Sequence, residues 1–245
     1  MKKVTFLPFT LTTVLSLQPL VNGHAEEASS VLQMLGEGDT SLSFRYRYEF
    51  VDQDGIDKNA NASTLKTRLS YKSASFNGLT ALLEVDNVTL VGSESYRTPS
   101  NGEIGYPIVA DPDGTDVNQV SLTYKNDGYR AILGRQRILH SGQRFVGGVG
   151  WRQNEQTYDA FTLSSKSLGP VAMDYSYIWD VNRIFGPKDS AAQPKRWESD
   201  SHILLAAMSP AKGHSVKGYA YLLDFADDSA NSSSTYGIEY RGKFV

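Results

Sequence analysis

Hydrophobic and polar residues alternate with a period of two along most of the chain. In residues 41–50, apolar and aromatic side chains would lie on one face of a strand, and Ser, Arg and Glu side chains on the other. A helix would not separate the two kinds so cleanly, so the pattern indicates an all-β protein. It recurs and predicts ten strands, at 41–50, 65–72, 79–86, 119–125, 129–137, 157–165, 171–182, 201–209, 215–225 and 235–241.

The segments between these strands alternate in length. Short ones follow every second strand, at 75–78, 126–128, 166–170 and 210–214, and Asn126-Asp127-Gly128 is a hairpin signal because these residues tolerate positive φ. Long polar segments follow the others, at 52–63, 93–115, 138–156 and 183–200. Short turns on one rim and long loops on the other are typical of an antiparallel up-and-down transmembrane β-barrel. A soluble barrel has less reason to separate its connections by length.

The N-terminus has the layout of an export signal. A basic start, Met1-Lys2-Lys3, precedes a mostly apolar stretch over 4–21, and Gly23-His24-Ala25 supplies small residues for cleavage after Ala25. A buried N-terminal helix is the alternative, but prolines interrupt it. We therefore predict a signal peptide over 1–25, a periplasmic segment over 26–38 and a β-barrel domain over 39–245.

Composition narrows the class of protein further. The 245 residues include no cysteine, which excludes thiolate metal sites. The formal charge of -3 gives no reason to expect nucleic acid as a partner. Beyond the N-terminus the longest apolar run is Ile203 to Met208, too short for a spanning helix. The 14 Tyr and 10 Phe are typical of strands that have one apolar face and reach a boundary with water.

Alternation alone does not say which face of the sheet meets lipid. The export signal, the rim of long loops and the aromatic residues near strand ends together favour an apolar face in contact with lipid. Each aromatic residue taken singly is better explained by ordinary strand propensity, so the argument depends on their joint placement. The residues concerned are Tyr48, Tyr71, Tyr124, Tyr129 and Trp179.

The polar face carries charges of both signs in separate blocks. Basic side chains dominate the first two strands, at Arg45, Arg47, Lys66, Arg68 and Lys72, with Glu49 among them. Acidic side chains follow at Glu84, Asp86, Asp174, Asp180, Asp224 and Glu239. Opposed basic and acidic walls would orient and select charged solutes in a pore. The alternative is that these charges pair across strands and plug a narrow barrel.

Residues 134–161 are the most distinctive segment, because they combine glycines at 142, 147, 148 and 150 with several arginines. This segment, and Ile108 to Asp116, resemble the alginate export family of outer-membrane porins, and the likeness extends from about residue 40 through the rest of the chain. The resemblance implies a monomeric barrel whose basic lumen passes an anionic polysaccharide or smaller acidic solutes. It implies lumen or constriction roles for Arg45, Arg47, Lys66, Arg68, Arg130, Arg135, Arg137, Arg144 and Arg152.

Length departs from the family pattern, since its barrels have many more strands than ten. Eight strands give an interior that side chains fill, and sixteen or more leave an aqueous channel. An open sheet would expose unpaired strand edges to lipid. We therefore expect either a small closed barrel with a narrow or plugged pore, or the N-terminal part of a larger barrel, and we favour the second.

Motifs for catalysis and metal binding do not occur in the sequence. There is no Gly-x-Ser-x-Gly, His-Glu-x-x-His or phosphate-binding glycine motif, and His140-Ser141 has no acid placed beside it. The aspartates of 52–57 and of 111–116 lack the spacing of an EF-hand loop, and we interpret both groups as solvated turns. We expect no enzyme activity, no cofactor and no metal.

The sequence therefore predicts a porin of the bacterial outer membrane for passive passage of anionic saccharides or small acidic solutes. Its expected partners are outer-membrane lipid, the solute and the barrel-assembly machinery, and it is expected to be a monomer. One alternative is a non-conducting structural or adhesive barrel that acts through its long loops. Another is a soluble exported barrel that binds a lipid-like ligand.

Overall fold

The computed structural model describes residues 4–17, 27–190 and 193–243. One short helix, α1, spans Val31–Gly36, and a 3-10 turn spans Ser229–Asn231. The strands are β1 (Val4–Leu17), β2 (Asp39–Gln53), β3 (Ala60–Lys72), β4 (Leu79–Leu90), β5 (Gly114–Lys125), β6 (Tyr129–Gln136), β7 (Thr157–Leu168), β8 (Val171–Asn182), β9 (Arg196–Ala211), β10 (His214–Leu223) and β11 (Ser233–Gly242).

The strands form a single antiparallel sheet in which each strand pairs with its neighbours in sequence, in the order β1 to β11. This confirms the prediction of an all-β, up-and-down architecture. Within the described residues β1 and β11 are the two edges and do not pair with each other, so the sheet is not closed.

The number of strands exceeds the prediction by one. The ten predicted strands correspond to β2–β11, and the additional strand β1 lies in the segment predicted as an export signal. It pairs with β2 from Val4↔Gln53 to Leu17↔Thr40 and satisfies backbone groups along the β2 edge. Pro8 is tolerated because β1 is an edge strand. The export signal stays a prediction, and its cleavage site after Ala25 lies outside the described residues.

The two rims differ in the length of their connections, as predicted, with one exception. Long connections at 91–113, 137–156 and 183–195 lie on one rim, and tight turns at 126–128, 169–170 and 212–213 lie on the other. The prediction of a long loop over 52–63 is wrong, because β2 continues to Gln53 and β3 begins at Ala60. The strands extend further there than their alternation indicated.

The sheet has a covered face and an exposed face, which differ in chemistry. The covered face carries charged side chains such as Arg47, Lys66 and Asp86, which are 3%, 4% and 5% exposed. The exposed face carries large apolar side chains such as Leu133 and Leu204, which are 55% and 45% exposed. A soluble barrel has the opposite arrangement, since apolar side chains normally lie inside.

On strands β8–β10 the covered face is apolar too. Ile178, Val181, Ile203, Leu205 and other side chains form a buried group there, here called the apolar patch. Strict alternation over 171–182 predicts Val181 on the same face as Trp179. In the pairing of β7 with β8, Ala160 is opposite Ile178 and Asp159 is opposite Asp180, so Trp179 is an extra residue in β8, and this bulge turns Val181 to the covered face.

The segment before β2 packs against the rim of short turns. The Tyr71 hydroxyl donates a hydrogen bond of 2.5 Å to the Leu35 carbonyl, and the Ala74 amide donates one of 3.1 Å to Met34. Segment 27–38 therefore lies at the opposite rim from the long loops.

Among the described residues, no helix is both long and apolar enough to cross a membrane.

Candidate functional site

Two long loops lie against the covered face, loop A (91–113) after β4 and loop B (137–156) after β6. Gln153 of loop B is fully buried and donates a hydrogen bond of 2.9 Å to the Thr64 hydroxyl on β3. In loop A, the buried Tyr96 hydroxyl donates a hydrogen bond of 2.8 Å to the carbonyl of Asp111. The loops thus bury polar side chains between themselves and the sheet.

Two arginines of β2 hold the backbone of loop B. Arg45 donates a hydrogen bond of 2.8 Å to the Gly150 carbonyl and another to the carbonyl of Arg152. Arg47 donates one of 2.5 Å to the Trp151 carbonyl. The guanidinium of Arg152 also lies 4.1 Å from the centre of a Trp151 ring. Because hydrogen bonds from charged donors are the stronger kind, these contacts fix the conformation of 150–152.

Asp111 joins loop A to loop B and to the sheet. It is 1% exposed, and its Oδ1 accepts a hydrogen bond of 2.9 Å from the backbone amide of Gln153. Its Oδ2 lies 3.2 Å from Arg47 and 3.6 Å from Arg152. Glu49 pairs with the same two arginines, at 3.1 Å from Arg152. The prediction of a solvated turn is therefore wrong for Asp111, because its carboxylate is buried between two guanidinium groups.

Glu155 fixes the other end of the contact between loop B and the sheet. Its carboxylate lies 2.6 Å from Arg137, 3.0 Å from Arg68 and 3.8 Å from Lys66. Burial by itself would raise the pKa of Glu155. The cations of Arg68 and Arg137 outweigh burial and lower this pKa to about 2. Glu155 is thus a carboxylate at any physiological pH.

The acids predicted on β4 face the cations predicted on β3. Arg68 donates two hydrogen bonds of 2.6 Å to Asp86, in a bidentate arrangement. Arg137 lies 2.5 Å from Glu84, which also accepts a hydrogen bond of 2.5 Å from the Asn118 side chain. These contacts continue the network that begins at Glu155.

The structure brings six of the nine predicted site residues together. With five carboxylates they form two ion-paired groups, one around Asp111 and one around Glu155, which loop B joins and which are together called the charge cluster. Its described cations are Arg45, Arg47, Lys66, Arg68, Arg137 and Arg152, and its described carboxylates are Glu49, Glu84, Asp86, Asp111 and Glu155. Among these residues the cations exceed the carboxylates by one, so the charge cluster is close to balanced and is not a bare basic wall.

The other three predicted residues lie elsewhere. Arg135 is opposite Val120 in the pairing of β5 with β6, so it shares the exposed face, where it lies 2.8 Å from Asp159. Arg130 is exposed beside the short turn at 126–128. Arg144 is exposed in loop B, with its guanidinium 5.8 Å from the Phe145 ring centre.

Sequence reasoning missed three members of the site, Asp111, Gln153 and Glu155. Their roles depend on how the loops fold back on the sheet, which alternation in the strands does not encode. A usable signal was the mixture of aromatic, basic, amide and acidic side chains in 151–155 directly after a glycine-rich stretch. Such a segment offers many hydrogen-bonding groups on a backbone that can turn sharply.

Groups suited to metal binding or catalysis are sparse in the described part of the chain. No cluster of three or more His, Cys, Asp or Glu side chains that could hold a metal ion occurs there. His140 is partly buried, and burial lowers its pKa. Ser141 next to it accepts a hydrogen bond of 3.1 Å from Lys217.

Comparison of this chain with protein-family models, with curated proteins and with solved structures found no match. The resemblance to the alginate export family therefore stays a prediction, and arguments about function depend on the geometry described above.

Proposed function

We propose that the chain forms the wall and constriction of an outer-membrane pore that passes small acidic solutes or anionic saccharides. The observation that carries the proposal is the inverted distribution of side chains on the sheet. Large apolar side chains such as Leu122 and Leu133 are exposed, while charged ones such as Arg47 and Glu49 are buried. A transmembrane barrel has this arrangement, because lipid contacts its outer face and water or polar groups fill its lumen.

Loop B is the proposed constriction. It extends from the rim of long connections onto the covered face and contacts strands β2 and β3 through Gln153. A solute that moves along the covered face from one rim to the other would pass the charge cluster that holds this loop. Fixed guanidinium and carboxylate groups at such a position select solutes by charge and orient them.

The balance within the charge cluster predicts a modest anion preference. Each cation that lies beside a carboxylate contributes a reduced field in the lumen, and one net positive charge remains among the described members. A bare row of arginines would give a stronger preference. We therefore expect a small shift of reversal potential toward the anion, and the shift should be larger at low ionic strength.

Ion selectivity in planar bilayers tests this proposal. The whole chain, refolded in detergent, should conduct with a modest preference for chloride over potassium. Replacing Arg45, Arg47 and Arg68 together by Gln should reverse the preference, because it leaves three cations against five carboxylates in the charge cluster. The control replaces Lys125, Arg130 and Lys166 by Gln, which removes the same charge at exposed positions near the short turns. Equal selectivity in both triple variants would refute the placement of the pore.

A second candidate is a barrel that does not conduct. The observation that favours it is the near-complete burial of Arg47, Glu49 and Gln153 beneath loop B, which leaves little room for a solute. Membrane insertion of the wild-type chain without conductance would support this candidate. Because Arg137 is more exposed than Arg47, Arg137→Gln is the milder variant with which to test whether weakening the loop contact opens a pore.

A further inference from the structure

A small cavity lies between loop B and the apolar patch, apart from the charge cluster. Its volume is about 150 Å³, and four aromatic rings contribute to its lining, those of Phe145, Tyr158, Trp197 and Phe225. Ile178 and Val181 add aliphatic surface. The lumen of a pore is expected to be polar, so an apolar cavity at this position is not explained by solute passage.

The size and lining of the cavity suit a single six-membered aromatic ring. In other proteins an apolar cavity of about 150 Å³ stays free of water and accepts benzene. The rings of Trp197 and Phe225 lie 5.1 Å apart at 39°, and aromatic groups prefer such tilted or offset neighbours. The Arg183 guanidinium lies 3.8 Å from the centre of a Trp197 ring, which holds the indole in place.

The polar groups at the cavity favour a ligand that donates a hydrogen bond. The Gln156 amide group donates to the Tyr158 hydroxyl at 2.7 Å and to the Gly147 carbonyl at 3.2 Å, so its carbonyl oxygen is the part left to accept. The Asn231 amide group donates to Asp228 at 2.7 Å in the same way. The described lining residues include no charged side chain, which disfavours a charged ligand.

We propose that this cavity is a binding site for a small uncharged aromatic ring that carries a hydroxyl group, such as a phenol. The ring would contact Phe145, Trp197 and Phe225, and its hydroxyl would donate to the carbonyl oxygen of Gln156 or Asn231. The site does not share residues with the charge cluster. Binding at this site can therefore be measured whether or not the chain conducts.

Binding of 4-fluorophenol to the whole refolded chain, followed by fluorine NMR, tests the site. Wild type should show a saturable shift that phenol displaces, and cyclohexanol should compete at least tenfold more weakly because it lacks an aromatic face. Val181→Phe fills the cavity and should weaken binding at least tenfold. The matched control is Val120→Phe on the exposed face, where Val120 is 50% exposed, and it should bind like wild type.

Asn231→Trp is a second blocking variant for the case in which Val181→Phe does not fold. Asn231 is an exposed lining residue, so a larger side chain there covers the cavity without overpacking the apolar patch. Uptake of the probe by detergent is the same for every variant and does not saturate, which separates it from binding to the protein. Absence of saturable binding to wild type, or wild-type affinity in folded Asn231→Trp, would overturn the proposal. Equal competition by cyclohexanol would overturn the aromatic assignment.

Discussion

Replacing Glu155 by Gln should release loop B from the sheet. The substitution keeps the size of the side chain and removes the charge that Arg68, Arg137 and Lys66 surround at 3.0, 2.6 and 3.8 Å. The three cations would then lie close together without this carboxylate, and like charges at that distance repel one another. We expect a less stable protein with a more mobile loop.

The magnitude follows from the pKa of Glu155. It is lowered from 4.5 to about 2, and because one pKa unit corresponds to about 1.4 kcal/mol, the ionised state gains on the order of 3 kcal/mol from folding. Removing one partner of a buried pair typically costs roughly 3–5 kcal/mol. The lower end applies here, because Arg137 remains beside Glu84 and Arg68 beside Asp86. We expect a loss of about 3 kcal/mol at pH 6.

The pH dependence gives a second readout with a defined sign. Since folding lowers the pKa of Glu155, its contribution to the free energy of unfolding is fully present above about pH 4.5. This contribution is lost as the pH falls toward 2. The difference in unfolding free energy between wild type and Glu155→Gln should therefore shrink steadily from pH 5 to pH 2. Urea unfolding in detergent, followed by tryptophan fluorescence at several pH values, measures this difference directly.

Glu103→Gln is the matched control for Glu155→Gln. Glu103 is an exposed residue of loop A on the same rim, so the control makes the same chemical change outside the charge cluster. It should alter the unfolding free energy by less than about 0.5 kcal/mol, as surface substitutions usually do. If the two variants have the same stability at pH 6, or if their difference does not change with pH, then Glu155 does not hold the loop in the manner described.

Three further substitutions test the fold. Gly134→Ala should lower the free energy of unfolding by about 2 kcal/mol, because φ is +112° at Gly134 and an added Cβ would lie 2.4 Å from a backbone oxygen. The control Gly218→Ala, whose added Cβ meets no atom within 4 Å, should be neutral. Urea unfolding measures both. Leu122→Lys on the exposed face should cost about 2–4 kcal/mol in lipid vesicles if that face meets the membrane interior, and almost nothing if it meets water. Tyr158→Phe should cost about 1–2 kcal/mol in thermal unfolding, because the hydroxyl donates a 2.9 Å hydrogen bond to the Gly147 carbonyl.

Much of the sheet was predictable because strand periodicity is a local property. Alternation identified all ten strands of β2–β11, and for β8 the predicted range 171–182 agrees with the observed one. The errors arise where the pattern is interrupted or overridden. A bulge at Trp179 turns Val181 to the other face, and an apolar segment typical of an export signal also pairs as β1. Neither a bulge nor an edge pairing leaves a clear mark in the order of polar and apolar residues.

The site was predictable only in part, because it depends on contacts between residues far apart in sequence. Charges on the strands follow from parity, so Arg45, Arg47, Lys66 and Arg68 were expected on one face. Asp111 and Glu155 come from loops, whose path over the sheet is set by the hydrogen bonds they find there. For Asp111 the decisive contact is with Arg47, a residue of a different strand.

Conductance and stability both depend on the charge cluster. Measuring both in one variant therefore distinguishes a conducting pore from a plugged barrel. Glu155→Gln removes a negative charge from the proposed constriction and loosens loop B at the same time. A conducting pore should then show both a larger conductance and a stronger anion preference, since the cluster changes from one excess cation to two. A plugged barrel should change from no conductance to measurable conductance while losing the same stability. Stability that falls without any conductance in either protein would mean that loop B seals no pathway, and it would favour the structural or adhesive role.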